Sequence, residues 1–167
     1  ESAEKQLLFY QEKIQKEFKI NPFLTEELPG PGSIGYRVQN YGITTWSKFF
    51  NPRQELVLSI FLLKIRECYK KMLDEKYDIE YAKILLTYLA LNYDNLARKL
   101  TIFTRFRNDS NAFEGIFDIP NIHMIMDYGE KNILKNNSDW MNGLESIIFA
   151  VSDITKIKNS KIHVTQG

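Results

Sequence analysis

A single cysteine, Cys68, leaves this 167-residue chain no internal disulfide, which fits a reducing, cytoplasmic setting. Histidine is almost as scarce. His123 and His163 stand 40 positions apart, and neither belongs to a Cys/His/Asp/Glu cluster with ligand spacing, so no metal centre is expected. No apolar run is long enough to span a bilayer. The opening Glu1-Ser-Ala-Glu-Lys5 also lacks the basic-then-apolar layout of a secretory leader, so no membrane partner is expected. A net charge of +1 means that the chain as a whole is not strongly basic, unlike a dedicated nucleic-acid binder.

What is present is ordinary for a globular chain: 44% hydrophobic and 26% charged residues, enough for one domain, or one domain plus an arm, with a real core. Charge is unevenly spread. Residues 46–107 hold 12 Lys/Arg against 7 Asp/Glu, a balance of +5, and the remainder hold 10 against 14, a balance of −4. A modestly basic middle is compatible with a phosphate-facing surface.

The chain is organised around Asn51–Lys76. Asn51 suits an N-cap, Pro52 the first helical position and Gln54 the return acceptor of a capping box. Leu56, Ile60, Leu63 and Ile65 fall on one face while Val57, Leu58, Phe61 and Leu62 fill most of the rest, which predicts a central helix covered by neighbours. Before it, residues 1–20 read as an amphipathic helix with a stripe of Leu7, Leu8, Ile14 and Phe18. Residues 21–50 read as an irregular connector with a short extended piece at Tyr36–Tyr41, broken by Gly42. Asp78 predicts the start of a second long helix running to about Phe106, antiparallel to the first. Asn108-Asp-Ser-Asn111 predicts a turn, Pro120 a shorter helix to about Leu134, and Ser138-Asp139 a last helix. Residues 161–167 alternate as a strand would, and a lone strand needs a sheet to pair with. The expected fold is mainly α: a helical bundle at 51–160 around a buried central helix, with a short strand-like C-terminal tail belonging to a missing catalytic domain.

Few residues carry chemistry. Gly30-Pro-Gly-Ser-Ile-Gly35 matches Gly-x-Gly-x-x-Gly literally, but Pro29 and Pro31 interrupt the turn and an extended Tyr36-Arg-Val follows, so it reads as a loop. Cys68 reads as a small buried side chain and His123 as a packed histidine beside Ile122 and Met124. Asp127 and Glu130 lie three apart and read as a helix-surface pair bonding nearby Arg or Lys; no second catalytic group joins them. Arg98-Lys-Leu-Thr-Ile-Phe-Thr-Arg-Phe-Arg107 is the best functional candidate. Arg98 and Arg105, seven apart, would share a helix face, with Lys99 and Arg107 also able to reach phosphate.

Three stretches together resemble one family. Tyr41-Gly-Ile-Thr-Thr-Trp46-Ser-Lys-Phe-Phe50-Asn-Pro52-Arg53-Gln54 is similar to the Tyr-Gly-x-x-x-Trp-x-x-Leu/Phe-Phe-x-Pro-Arg-Gln signature of adenine-specific DNA methylases that carry a zinc-ribbon insert. Tyr88-Leu-Ala-Leu91, Leu96-Ala97 and Arg105-Phe106 resemble that family's next helix. Phe117 followed by Met126-Asp127-Tyr128-Gly-Glu130-Lys-Asn132 resembles its Trp-Asp-Tyr-Ala-Glu-x-Asn. The resemblance implies a helical insert or target-recognition module lying between the methyl-donor loop and the Asp-Pro-Pro-Tyr turn that holds a flipped adenine. Neither motif occurs here, so the chain is expected to be non-catalytic alone. No cofactor is expected in this segment, and S-adenosylmethionine belongs to the parent. DNA contact is expected through Arg53, Arg98, Lys99, Arg105 and Arg107. The alternative is a structural or protein-interaction domain that does not touch nucleic acid, with Arg53 bonding Asp127 or Glu130.

Overall fold

The computed structural model describes residues 2–30, 33, 37–117, 122, 125, 129–133 and 139–159. Helix α1 spans Ala3–Phe18 and buries Leu7, Gln11 and Ile14, a 4–3 spacing that keeps them on one face. Leu8, expected in the same stripe, is instead 51% exposed. α1 lies along α2 (Pro52–Asp74), where the Gln11 amide donates to Glu55 Oε1 at 3.0 Å and Lys13 Nζ to Glu67 at 3.3 Å. Partial burial raises the Glu55 pKa, opposed by the Gln11 hydrogen bond.

The start of α2 follows the sequence residue by residue. The Asn51 side chain accepts from the Gln54 amide at 2.9 Å, Gln54 Oε1 accepts from the Asn51 amide at 2.9 Å, and Pro52 occupies the first turn. Asn51→Ala should lower stability by about 1 kcal/mol, measured as a shift in denaturation midpoint at unchanged slope. The helix ends at a left-handed Lys76 (φ 62°), with the Tyr77 amide reaching back to Met72 O at 3.0 Å. Asp78 then caps α3 (Ile79–Ala97) by accepting from the Tyr81 amide at 2.9 Å. Leu58, early in α2, shares a cluster with Leu96, late in α3, as antiparallel neighbours must. Cys68, expected inside, is exposed on α2.

Tyr93 of α3 packs on that cluster. Burial first, then the Asp94 and Glu55 carboxylates, push its phenol up to about 12. Raising a folded-state pKa means the stabilisation is present below the free-tyrosine value of about 10 and is lost as pH rises through about 12. Tyr93→Phe should therefore show a shallower loss of stability than the parent above pH ~10, with denaturation curves at stepped alkaline pH as the check.

Past Ala97 the chain departs from the long helix expected to Phe106. Leu96, Leu100 and Phe103 do recur at helical spacing, but Phe103 seats elsewhere, edge-on to Phe49 at 5.1 Å between ring centres. The hydroxyls of Thr101 and Thr104, both 1% exposed, compete for the backbone. Thr101 Oγ1 accepts from the Phe103 amide at 3.2 Å and Thr104 Oγ1 donates to Lys99 O at 2.9 Å. Strands β1 (Arg105–Arg107) and β2 (Ala112–Glu114) follow as an antiparallel hairpin with Phe106 opposite Phe113. Its loop is the Asn108–Asn111 turn, with Asn111 left-handed at φ 49°. Arg98 and Arg105 thus do not share a helical face.

A second core forms apart from the α2–α3 cluster. Leu28, Val38, Phe49, Phe103, Ile116 and Ile122 are buried together, so residues 21–50 pack rather than merely connect. The extended piece expected at Tyr36–Tyr41 is a 3-10 turn over Val38–Tyr41, ended by Gly42 at φ 82°. A bridge between Glu27 and Thr45 ties the segment to itself.

The helix expected from Pro120 to Leu134 is not seen in its described residues. Ile122, Ile125 and Gly129–Ile133 lie outside any helix. Ile122 O accepts from the Arg37 amide at 3.5 Å, a partner in a distant segment. Gly129 lies so close to the Phe113 ring that an added Cβ would stand 2.5 Å from it. Helix α4 (Asp139–Asn159) then packs on α3, and its Trp140 ring sits 4.7 Å from Phe61. The described architecture is mainly α, a helical bundle with one small hairpin. The strand-like tail at 161–167 lies outside the described residues.

Candidate functional site

The residues singled out in the sequence divide into three places. The first is the start of α2. Trp46 and Phe49 open and close a 3-10 turn, their rings 5.1 Å apart, and Phe50 is half-buried between the two cores. Pro52 and Gln54 shape the cap, and Gln54 is only 2% exposed. Arg53 points outward and grips Glu130 with two hydrogen bonds, Nη2 to Oε2 at 2.7 Å and Nε to Oε1 at 3.3 Å. This fork joins the Pro-Arg-Gln turn to the Gly-Glu-Lys segment, 77 positions away in sequence. Lys131 adds a cation–π contact 5.9 Å from the Phe113 ring centre, and Ile133 enters the α2–α3 core. Glu130 thus bonds an arginine as expected, but from outside any helix, where it ties two segments together. Asp127 and Tyr128 lie outside the described residues.

The second place is the hairpin. Arg105 donates to Glu114 at 3.0 Å through Nε, and Arg107 pairs with Asp109 and reaches Glu114 at 3.8 Å. Hydrogen bonding from Arg107 holds the Asp109 carboxyl down at about 2. Both arginines answer carboxylates of their own chain.

The third place is the end of α3. Arg98 is half-buried at the C-cap, its Nε donating to Asn95 Oδ1 at 2.9 Å and its carbonyl accepting from the Ile116 amide at 3.0 Å. Gly115 permits this approach, since a Cβ there would stand 2.8 Å from the Arg98 guanidinium. Two clefts meet here. One, about 440 Å³ and of mixed polar and apolar lining, lies between α3 and α4 and includes Asn95, Arg98, Lys99, Asn142 and Ser146. The other, about 520 Å³ and mostly apolar, is lined by Trp46, Phe50, Phe117, Asp94, Asn95 and Arg98. Arg98 and Lys99 are thus brought together, Arg53 is separate, and Arg105 and Arg107 go to the hairpin.

Asp94 and Asn95 were not singled out from sequence; on α3 they read as ordinary polar positions. Gly143 was also passed over, though a glycine inside an apolar helical run is a signal of close approach. There the α4 backbone meets Asn92, whose Nδ2 donates to Trp140 O at 3.0 Å.

Of the Gly30–Gly35 run only Gly30 and Ser33 lie among the described residues, and the Ser33 amide donates to Gly30 O at 3.0 Å. No group of three or more His, Cys, Asp or Glu that could hold a metal ion occurs among the described residues, and His123 and His163 lie outside them. No helix among the described residues is long and apolar enough to cross a membrane. Compared with family models, with curated proteins and with solved structures, the chain matches none.

Proposed function

We propose that the chain is the helical, non-catalytic module of an adenine-specific DNA methylase, with duplex DNA and the parent's catalytic domain as its partners. The observation that carries this reading is convergence. The stretches that bear the resemblance meet in space, Arg53 with Glu130 and Trp46 and Phe50 with Phe117 around one cleft. S-adenosylmethionine is assigned to the parent, because the sequence holds no Phe-x-Gly-Gly-Gly methyl-donor loop.

Of the five cations first considered, Arg98 and Lys99 are the pair proposed to face phosphate. They share the α3–α4 cleft with the amides of Asn95 and Asn142, and the neutral hydrogen-bonding groups beside them suit a phosphate oxygen. Duplex binding by the chain should weaken linearly on a log–log salt plot, and Arg98→Ala with Lys99→Ala should flatten that slope by about one per contact removed. Arg105→Ala should leave it unchanged. Binding that ignores the Arg98 and Lys99 substitutions removes DNA contact at this cleft from the account.

A second reading has its own observation. Arg53, Arg105 and Arg107 all bond carboxylates within the chain, which is how arginines serve a scaffold. On that reading the module props its neighbours and makes no DNA contact, and the same salt titration would show no binding.

A further inference from the structure

We infer that the open N-terminal half of α3 is the docking face for a second copy of this chain, which seats the end of its own α4 there. Helical spacing defines the two surfaces. On α3, Tyr81, Ile84, Tyr88, Leu91 and Asn95 recur at steps of three and four and form one stripe. On α4, Leu144, Ile147, Ile148, Val151 and Ile154 form another. Within the chain the stripes already meet at one end. Leu91 and Asn95 share a cleft with Gly143 and Ile147, and among the described residues Ile147 is the last that α4 lends to it. The continuations stay open. Tyr81 is 51% and Ile84 52% exposed on α3, and Ile148 and Ile154 are each 65% exposed on α4. The Tyr77 ring, stacked on Tyr81 with centres 6.2 Å apart, extends the open part of the α3 stripe.

Two observations select a second copy as the occupant. The match between the stripes exists already inside the chain, and what lies open on each helix is the continuation of that match. Charge is also complementary between the two helices and not within either. Residues 78–95 hold Asp78, Glu80 and Asp94 against Lys83 alone, while residues 155–161 hold three lysines and no carboxylate. Pairing α3 with α3, or α4 with α4, sets like charge against like, whereas α3 with the partner copy's α4 sets opposite charges together. Glu80 bonds Lys83 at 2.7 Å, an exposed pair on one helix that gives way at little cost.

Each copy offers both surfaces, so a two-fold pair makes the contact twice and closes on itself. A standard interface takes about 800 Å² from each partner, so each contact needs about 400 Å² from each helix. Tyr77, Tyr81, Ile84 and Leu91 are each about half exposed, and at roughly 100 Å² apiece they offer that area from α3. The inference stands whether or not the chain meets DNA.

Sedimentation equilibrium of the whole chain from about 1 to 200 µM should show monomer passing to dimer and no further, micromolar strength being the weak end for an interface of this size. Ile84→Glu and Ile154→Glu should each weaken the dimer at least about tenfold by placing an unpaired charge in an apolar contact. Both positions are exposed, and circular dichroism confirms that each variant is folded. Glu80→Lys should weaken it about threefold. With Cys68→Ser removing the native thiol, a chain bearing Ile84→Cys mixed with one bearing Ile154→Cys should be joined by a short bis-maleimide, more readily than either chain alone. A monomer at every concentration overturns the inference and leaves the α3 face to another polypeptide. Growth beyond the dimer overturns the two-fold pair. A dimer indifferent to both glutamate substitutions, tightened by Glu80→Lys, or joined through position 84 on both sides overturns α4 as the occupant.

Discussion

Phe103→Ala should cost about 3–5 kcal/mol, the range for truncating a buried aromatic side chain. The ring is 2% exposed, meets Phe49 edge-on at 5.1 Å and shares its cluster with Leu28, Val38, Ile116 and Ile122. The cavity left behind cannot easily close. The adjacent Ile102 amide is bonded to Phe49 O at 2.8 Å, and the Thr101 and Thr104 hydroxyls hold the turn on either side, so the backbone is tied before any side chain can relax. That points to the upper part of the range. Denaturant unfolding should show the loss as a lower midpoint, and Phe103→Leu should fall between parent and alanine. A loss below about 1 kcal/mol would mean that the irregular core contributes little, contrary to its burial.

Gly143→Ala should reverse the usual sign of a glycine-to-alanine change in a helix. On an open helix face the substitution gains roughly 1 kcal/mol. Here an added Cβ would stand 1.9 Å from Asn92 Oδ1, 3.0 Å from its Cγ and 3.3 Å from Asn95 Nδ2. Asn92 is 1% exposed and has nowhere to swing without giving up its bond to Trp140 O. Its Oδ1 has no conventional partner and lies against the Gly143 backbone, where a Cα–H contact is the available donor. Separation of α3 from α4, or loss of the asparagine bond, should cost about 2–4 kcal/mol. Thermal unfolding would show this, at roughly 2–4 °C per kcal/mol for a chain of this size. The control is Asn92→Ala combined with Gly143→Ala, which should be more stable than Gly143→Ala alone because the colliding atoms are gone. If the double variant is no better than the single, steric conflict with Asn92 is not the cause.

Local signals in the sequence carried well into the structure. Asn51, Pro52 and Gln54 specify a helix start within four residues, and the capping box forms as written. Asp78 is similar: one side chain and one amide decide it. What could not be read locally was competition. Leu96, Leu100 and Phe103 extend the helical spacing of α3, yet the turn at Thr101–Thr104 supplies the same burial without the helix, because two hydroxyls satisfy the backbone and Phe49 provides a seat. The segment after Ile116 shows the same limit, since its partners Arg37, Arg53 and Phe113 come from three other places.

The candidate site was half legible. Each arginine was visible, and the bond from Arg53 to Glu130, 77 positions away, is the one the scaffold alternative named from sequence. Arg105 and Arg107 were assigned to a helix and belong to a hairpin, where Glu114 on the facing strand reaches both.

Among the described residues the bundle's main helix contacts run between consecutive helices, α1 with α2, α2 with α3 and α3 with α4. Only the middle pair closes over a short link, from Asp74 to Ile79. The outer pairs join residues as far apart as Lys13 and Glu67, 54 positions, and Asn92 and Trp140, 48 positions. The α2–α3 hairpin is therefore the piece of the bundle able to assemble early, while the rest must wait for long-range closure.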